Sequence, residues 1–192
     1  SQQIFDVVGD FSIYGKQGKP FGLNQLGDYL YTLDKYKDPM RANLEGYKSL
    51  GKKNIIEIPV CCENKFALDI ERIENKLKLK AELILEKFFS KNYFCYMTGF
   101  VAGMPFLGDL NQEMRLKRLE TPRVKVPKGS VGITEQFCNI YSFETPGGWN
   151  ILGNTPQNIF DTSNQSRPNL INPGDTIKFY RVTLNEYNEI KK

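Results

Sequence analysis

Histidine is absent from all 192 residues. That removes the commonest general base near neutral pH, and with it Ser-His-Asp and Cys-His machinery and histidine-ligated metals. Acid–base chemistry must fall to Asp, Glu, Lys, Tyr or a partner subunit. Long apolar runs are missing too. None approaches the roughly 20 residues a membrane helix needs, and SQQIFDVVGDF at the start has no basic stretch leading into an apolar one, so neither a membrane partner nor a signal peptide is expected. Cysteine is scarce and poorly spaced for metal. Cys61, Cys62, Cys95 and Cys138 form no C-x-x-C pair, so no metal site is expected. Without a secretory signal the chain reads as cytoplasmic with reduced thiols, acting as small buried hydrophobes and not as nucleophiles. Neither sign of charge dominates. With 26 basic and 22 acidic residues the net charge is +4, and the interspersed Lys and Glu read as solvated surface, with no nucleic-acid partner. Gly99, Gly103 and Gly108 fit neither a Walker A motif nor the dinucleotide fingerprint.

What is present is enough for a substantial core: 40% apolar residues, 12% of all residues aromatic. The length allows one large domain or two small ones. IFDVVG and FSIYG read as short strands near the N-terminus, followed by a turn-rich stretch from Gly15 to Gly27. Pro39 and Gly46 argue against one long helix across residues 33–50. Asn54–Val60 is a β-rich run, and its Pro59 suggests an edge or a strand end. Asp69 is placed to cap a helix over Ile70–Leu77. Lys78–Lys80 breaks that pattern, and a second helix over Ala81–Ser90 puts Ala81, Ile84, Leu85 and Phe88 on one apolar face. Tyr93–Met97 is the next strand.

These elements make an α+β unit, with a domain boundary between residues 92 and 93. From Thr98 on, glycine and proline punctuate short apolar runs, the pattern of a small barrel or sandwich. Strands are expected at Arg123–Val126, Ser130–Ile133, Asn139–Phe143, Asn150–Gly153 and Thr176–Arg181. Residues 161–172 read as a surface loop, Asn172–Asp175 as a turn, and the last five residues as a frayed tail.

Two clusters could carry chemistry. Arg118, Arg123 and Lys125 lie close in KRLETPRVK. On one strand Arg123 and Lys125 would share a face, where cations suit a carboxylate or phosphate, although the same spacing also describes a solvated strand. In Glu144-Thr-Pro-Gly-Gly-Trp149, Gly147 and Gly148 permit close backbone approach to a ligand. Trp149 offers a flat apolar wall, and Glu144 could act as acid, base or anchor. A tight turn beside a core tryptophan accounts for the same residues.

At these motifs the chain resembles the allophanate hydrolase subunit 1 family, which includes one component of a bacterial ATP-dependent 5-oxoprolinase and a sporulation-kinase inhibitor. The resemblance is carried by IPVC (Ile58–Cys61), GF-x-x-G-x-P-x-LG (Gly99–Gly108), TPR-x-x-VP-x-GSVGI (Thr121–Ile133), Ile140-Tyr141, TPGGW-x-x-x-G-x-TP (Thr145–Pro156) and PGD (Pro173–Asp175). It implies a small α/β sandwich over residues 1–92 and a cyclophilin-like β-barrel over 93–192. It further implies a subunit of an ATP-dependent 5-oxoprolinase or related amide or lactam hydrolase, working with a homologous second subunit and a lactam-hydrolase subunit, with ATP used by the full complex. In that reading Arg118, Arg123 and Lys125 bind an anionic substrate or phosphorylated intermediate. Glu144 orients a polar group as the catalytic carboxylate, and Gly147, Gly148 and Trp149 shape the pocket.

The resemblance leaves two other readings open: a binding protein that inhibits a histidine kinase, and a barrel that has kept the fold and lost the activity. The chain departs from the family pattern where Glu135-Gln-Phe-Cys-Asn139 stands for a G-x-Q-T-G run, where Ala102 and Met104 replace a proline and an aromatic, where Lys117-Arg118 stands for a Pro-Arg pair, and where Phe88 is near the place of a histidine.

Overall fold

The computed structural model describes residues 55–164 and 166–191. The readings of IFDVVG, FSIYG and the turn-rich stretch after them lie outside these residues. The described chain folds as an α+β unit around a closed seven-stranded barrel. In chain order its elements are β1 (Ile55–Cys61), α1 (Ile70–Leu77), α2 (Ala81–Phe89), β2 (Asn92–Thr98), β3 (Pro105–Gly108), a short 3-10 turn (Gln112–Met114), β4 (Arg123–Val126), β5 (Ser130–Thr134), β6 (Phe137–Ile140), β7 (Thr145–Gly147), β8 (Asn150–Asn154), β9 (Thr176–Val182) and α3 (Leu184–Ile190). Around the barrel the order is β1-β8-β5-β6-β3-β2-β9, and a separate two-stranded ribbon joins β4 to β7.

The barrel closes where β1 runs parallel to β9 in unbroken register, from Ile55 opposite Thr176 to Cys61 opposite Val182. Alternation fills its interior. Ile58 and Val60, Tyr93 and Cys95, Val131 and Ile133, Cys138 and Ile140, and Ile177 and Phe179 are all buried, each pair two residues apart on one face of its strand. The helices add Ile73, Ile84, Leu85 and Phe88 to the same cluster. Phe88 stacks on Phe179 at 5.0 Å between ring centres, and its carbonyl accepts the Tyr93 hydroxyl at 2.8 Å. At this position, where the family resemblance called for a histidine nearby, an apolar ring completes the core.

The boundary expected between residues 92 and 93 falls inside this unit. β1 belongs to the proposed first part and β9 to the second, yet they are neighbouring strands of one barrel. β3 and β7 were not expected from the sequence, because Pro105, Gly108, Pro146 and Gly147 read as turns. β3 is buried at all four positions and paired on both sides, so pairing overrides its weak local preference. β6 starts earlier than expected because Glu135 adopts a left-handed φ of 45°, which tightens the hairpin after β5. The tail read as frayed begins inside α3, which opens on a capping box between Thr183 and Glu186.

Candidate functional site

The β4–β7 ribbon brings the two candidate motifs together. Arg123 lies opposite Gly147, and Val126 opposite Thr145. The segment before β4 is tied down at three points. Leu116 O accepts Glu135 N–H at 2.8 Å, and Leu119 N–H donates to Gly148 O at 2.7 Å. Between them, Asn150 Nδ2 donates to Lys117 O at 3.2 Å and to Ile133 O at 3.1 Å. Backbone pairing thus gathers Arg118, Arg123, Gly147, Gly148 and Trp149 into one place. Lys125 and Glu144 are brought to each other instead, 2.9 Å apart on the exposed part of the ribbon, with side chains 74% and 54% accessible. This pairing raises the Lys125 pKa, first through the hydrogen bond to Glu144 and then through its charge.

Arg123 is held from outside the ribbon. Its Nη2 donates to Asp69 Oδ1 at 2.6 Å, while Asp69 is only 4% exposed. Asp69 Oδ2 accepts Ile151 N–H at 2.7 Å. The cap expected of Asp69 does not form, since no side-chain hydrogen bond caps α1; a charged partner and a β8 amide compete better for the carboxylate than the helix N–H groups do. On the other side of the guanidinium, Arg123 Nη1 is buried and has no hydrogen-bond partner among the described residues. Nearby, Arg72 Nη1 donates to Asn150 Oδ1 at 2.6 Å. Asp69, Arg72 and Asn150 were missed as site residues because their partners lie 54 to 82 residues away, and no local pattern signals such a pairing.

Trp149 is 4% exposed and meets the edge of Phe106, with ring centres 5.7 Å apart. Beside it, Asn139 opposes Gly132 across β5 and β6. A methyl added to Gly132 would lie 2.9 Å from Asn139 Oδ1 and 3.0 Å from Trp149 Cβ, so the bare α-carbon is what admits the asparagine side chain. Asn139 Oδ1 is buried without a hydrogen-bond partner among the described residues. The Gly147 α-carbon packs against the Tyr141 ring, whereas a methyl at Gly148 would meet Pro122 at an ordinary 3.5 Å. Of the paired glycines, only the first is required by contact.

The cysteines stand apart from this site. Burial pushes the Cys62 and Cys95 thiols up to about 12, and burial raises Cys138 well above its usual value. These three are expected to react with a thiol reagent at pH 8 only as the chain unfolds, because the thiolate is the reactive form. Labelling followed by mass spectrometry, with and without urea, checks this; rapid native labelling of any of the three would contradict it. Among the described residues no group of three or more Cys, Asp or Glu is placed to hold a metal, and no helix is long and apolar enough to cross a membrane.

A barrel with this ribbon and these motifs has relatives. A family model described as carboxyltransferase domain, subdomain C and D matches residues 32–171, and the chain belongs to that family, which takes in allophanate hydrolase subunit 1 and the B subunits of 5-oxoprolinase. It is 35% identical over 140 residues to the 5-oxoprolinase B subunit of Bacillus subtilis (strain 168), a match covering 73% of this chain and 58% of the relative. It is 41% identical over 124 residues to the 5-oxoprolinase B subunit of Haemophilus influenzae, covering 65% and 58%. Among solved structures it is similar to a conserved uncharacterized protein, PH0987, from Pyrococcus horikoshii. The TM-score is 0.66 at 30% identity, over 88% of this chain and 73% of the other. The chain spans 58% of the length of the curated relatives it matches.

Proposed function

We propose that the chain is a non-autonomous subunit of an ATP-dependent 5-oxoprolinase, or of a closely related lactam or amide hydrolase, working in the cytoplasm with a homologous second subunit and a lactam-hydrolase subunit. The observation that carries this reading is Arg123, clamped by Asp69 on Nη2 and presenting a buried Nη1 that lacks a partner among the described residues. A buried donor left unmatched costs about 1–3 kcal/mol, and an oxyanion that accepts from it recovers that cost. 5-Oxoproline carries one carboxylate beside its lactam. Similarity to the 5-oxoprolinase B subunits supports this substrate over other small oxyanions. In this reading Arg118 and Arg123 hold the carboxylate or a phosphorylated intermediate, and Gly147 lets the ribbon lie close to the barrel. Trp149 and Phe106 back the apolar side. Lys125 and Glu144, already paired at the exposed rim, orient a polar group of the substrate or of the partner. The closed barrel, with its interior filled by core side chains, supports a cyclophilin-like assignment.

The helix N-termini among the described residues are poorly suited to ATP. Phosphate favours helix N-termini with free N–H groups, but here each of the three is associated with the chain's own carboxylate. α1 has Asp69 at its N-cap, α2 has Ala81 N–H donating to Glu74 Oε1 at 2.6 Å, and α3 has the Glu186 side chain on Thr183 N–H at 2.7 Å. With Ala81 N–H and Thr183 N–H already bonded to carboxylates, the nucleotide is assigned to the partner subunits. The test is to supply 5-oxoproline and ATP to the cognate partner subunits and measure glutamate release with and without the chain. Release that depends on both ATP and the chain is expected; equal rates without it would contradict the proposal.

A further inference from the structure

Asp69 links three elements through one carboxylate. Oδ2 accepts from Ile151 N–H in β8 at 2.7 Å, Oδ1 accepts from Arg123 at the start of β4 at 2.6 Å, and the residue itself precedes α1. Its own N–H donates to Ile151 O at 3.1 Å, so backbone and side chain are both fixed on β8. With 4% exposure the carboxylate has little access to water as an alternative partner. An arginine alone samples many rotamers, but this one has a single edge clamped. The second guanidinium nitrogen, Nη1, is buried and left without a partner among the described residues, a donor that a ligand oxygen would satisfy.

The geometry points to Asp69 as a positioning residue: through Arg123 it aims Nη1 at the oxyanion of a small substrate, the carboxylate of 5-oxoproline under the functional reading above, on which this inference rests. Asp69 touches no substrate itself. Its effect is on how well Arg123 is preorganised, and so on binding before chemistry.

The experiment uses the chain reconstituted with its partner subunits, as wild type, Asp69→Asn, Arg123→Lys and the double variant. Asp69→Asn keeps the size and an acceptor for Ile151 N–H while removing the charge. It is expected to raise KM for 5-oxoproline about tenfold or more, comparable with the loss of outer-shell partners that orient metal ligands, with kcat within about twofold. The double variant is expected to be no worse than Arg123→Lys, since Asp69 acts only through Arg123. A structural role lowers Tm and leaves KM alone; that result, or effects that multiply in the double variant, overturns the inference. Should Asp69→Asn not fold, Asp69→Glu keeps the charge but displaces it, and an unchanged KM there overturns the inference equally.

Equilibrium dialysis of the wild-type and variant complexes without ATP provides a readout independent of turnover, with 5-oxoproline and inorganic phosphate as separate probes. Weaker 5-oxoproline binding in Asp69→Asn with phosphate unaffected supports the carboxylate. The reverse pattern, or binding of neither probe, overturns it. A wild-type complex that binds 5-oxoproline and does not hydrolyse it defeats the functional reading alone. A complex that hydrolyses it normally with Asp69→Asn defeats only the inference.

Discussion

Arg123→Met in the reconstituted complex is expected to lower kcat/KM for 5-oxoproline about 100-fold or more. That factor corresponds to about 2.7 kcal/mol, within the range for a hydrogen bond to a charged group. The substitution has a second effect. It leaves Asp69, 4% exposed, without its cation. Breaking a buried pair by removing one partner costs about 3–5 kcal/mol. Here the Arg123 side chain is 28% exposed and Asp69 keeps its Ile151 amide, so a loss of about 2 kcal/mol is expected by urea denaturation. The two effects separate in the double variant Asp69→Asn with Arg123→Met. Removing both charges is expected to return most of the stability, because a buried pair adds little net stability over a neutral replacement. It is not expected to return the activity. Recovery of both would show that the pair only holds the fold.

Gly147→Ala is expected to have the next largest effect. A methyl there would overlap the Tyr141 hydroxyl and come within 2.8 Å of two ring carbons, and Tyr141 is itself 1% exposed and closely packed. Overpacking of this kind costs about 1–3 kcal/mol. Relief requires β7 to lift from the barrel wall, and Arg123, the cross-strand partner of Gly147, moves with it. A displacement of about 1 Å in a positioning element is enough to cost on the order of 100-fold in rate. Gly148→Ala is the control, since its added methyl would make only ordinary contacts. Steady-state kinetics of the two variants side by side check the claim. Equal losses would contradict it.

The parts of this architecture that could be read from sequence are those with strong local signals. Ile70–Leu77 and Arg123–Val126 match their expected bounds, because each has a clear period and a clear stop. Lys78 ends α1 in a left-handed conformation, φ 58°, where the lysine run had suggested a break. β3 and β7 were hidden because proline and glycine mark turns locally, while their pairing is decided by strands elsewhere in the chain. The strand pairing that spans residues 92 and 93 was hidden for a related reason. A parallel pair such as β1 and β9 joins strands more than a hundred residues apart, and periodicity carries no information about it.

The site shows the same division. Motif spacing picked out Arg123 and the Gly-Gly-Trp turn, which the ribbon places together. It paired Lys125 with Arg123 on a common strand face, whereas the structure pairs Lys125 with Glu144. Asp69 looked like an ordinary helix cap, and its partnership with Arg123 becomes visible only once α1, β4 and β8 are in place. Glu135 and Asn139, two departures from the family's glycines, each have a structural answer. Glu135 accepts a left-handed φ, and Asn139 occupies space that Gly132 leaves open.

The most direct test of the account is a crystal structure of the chain with its partner subunits and 5-oxoproline bound. The account predicts a carboxylate oxygen about 3 Å from Arg123 Nη1, with Asp69 still bonded to Nη2. A ligand bound elsewhere, with Nη1 still unpaired, would contradict it.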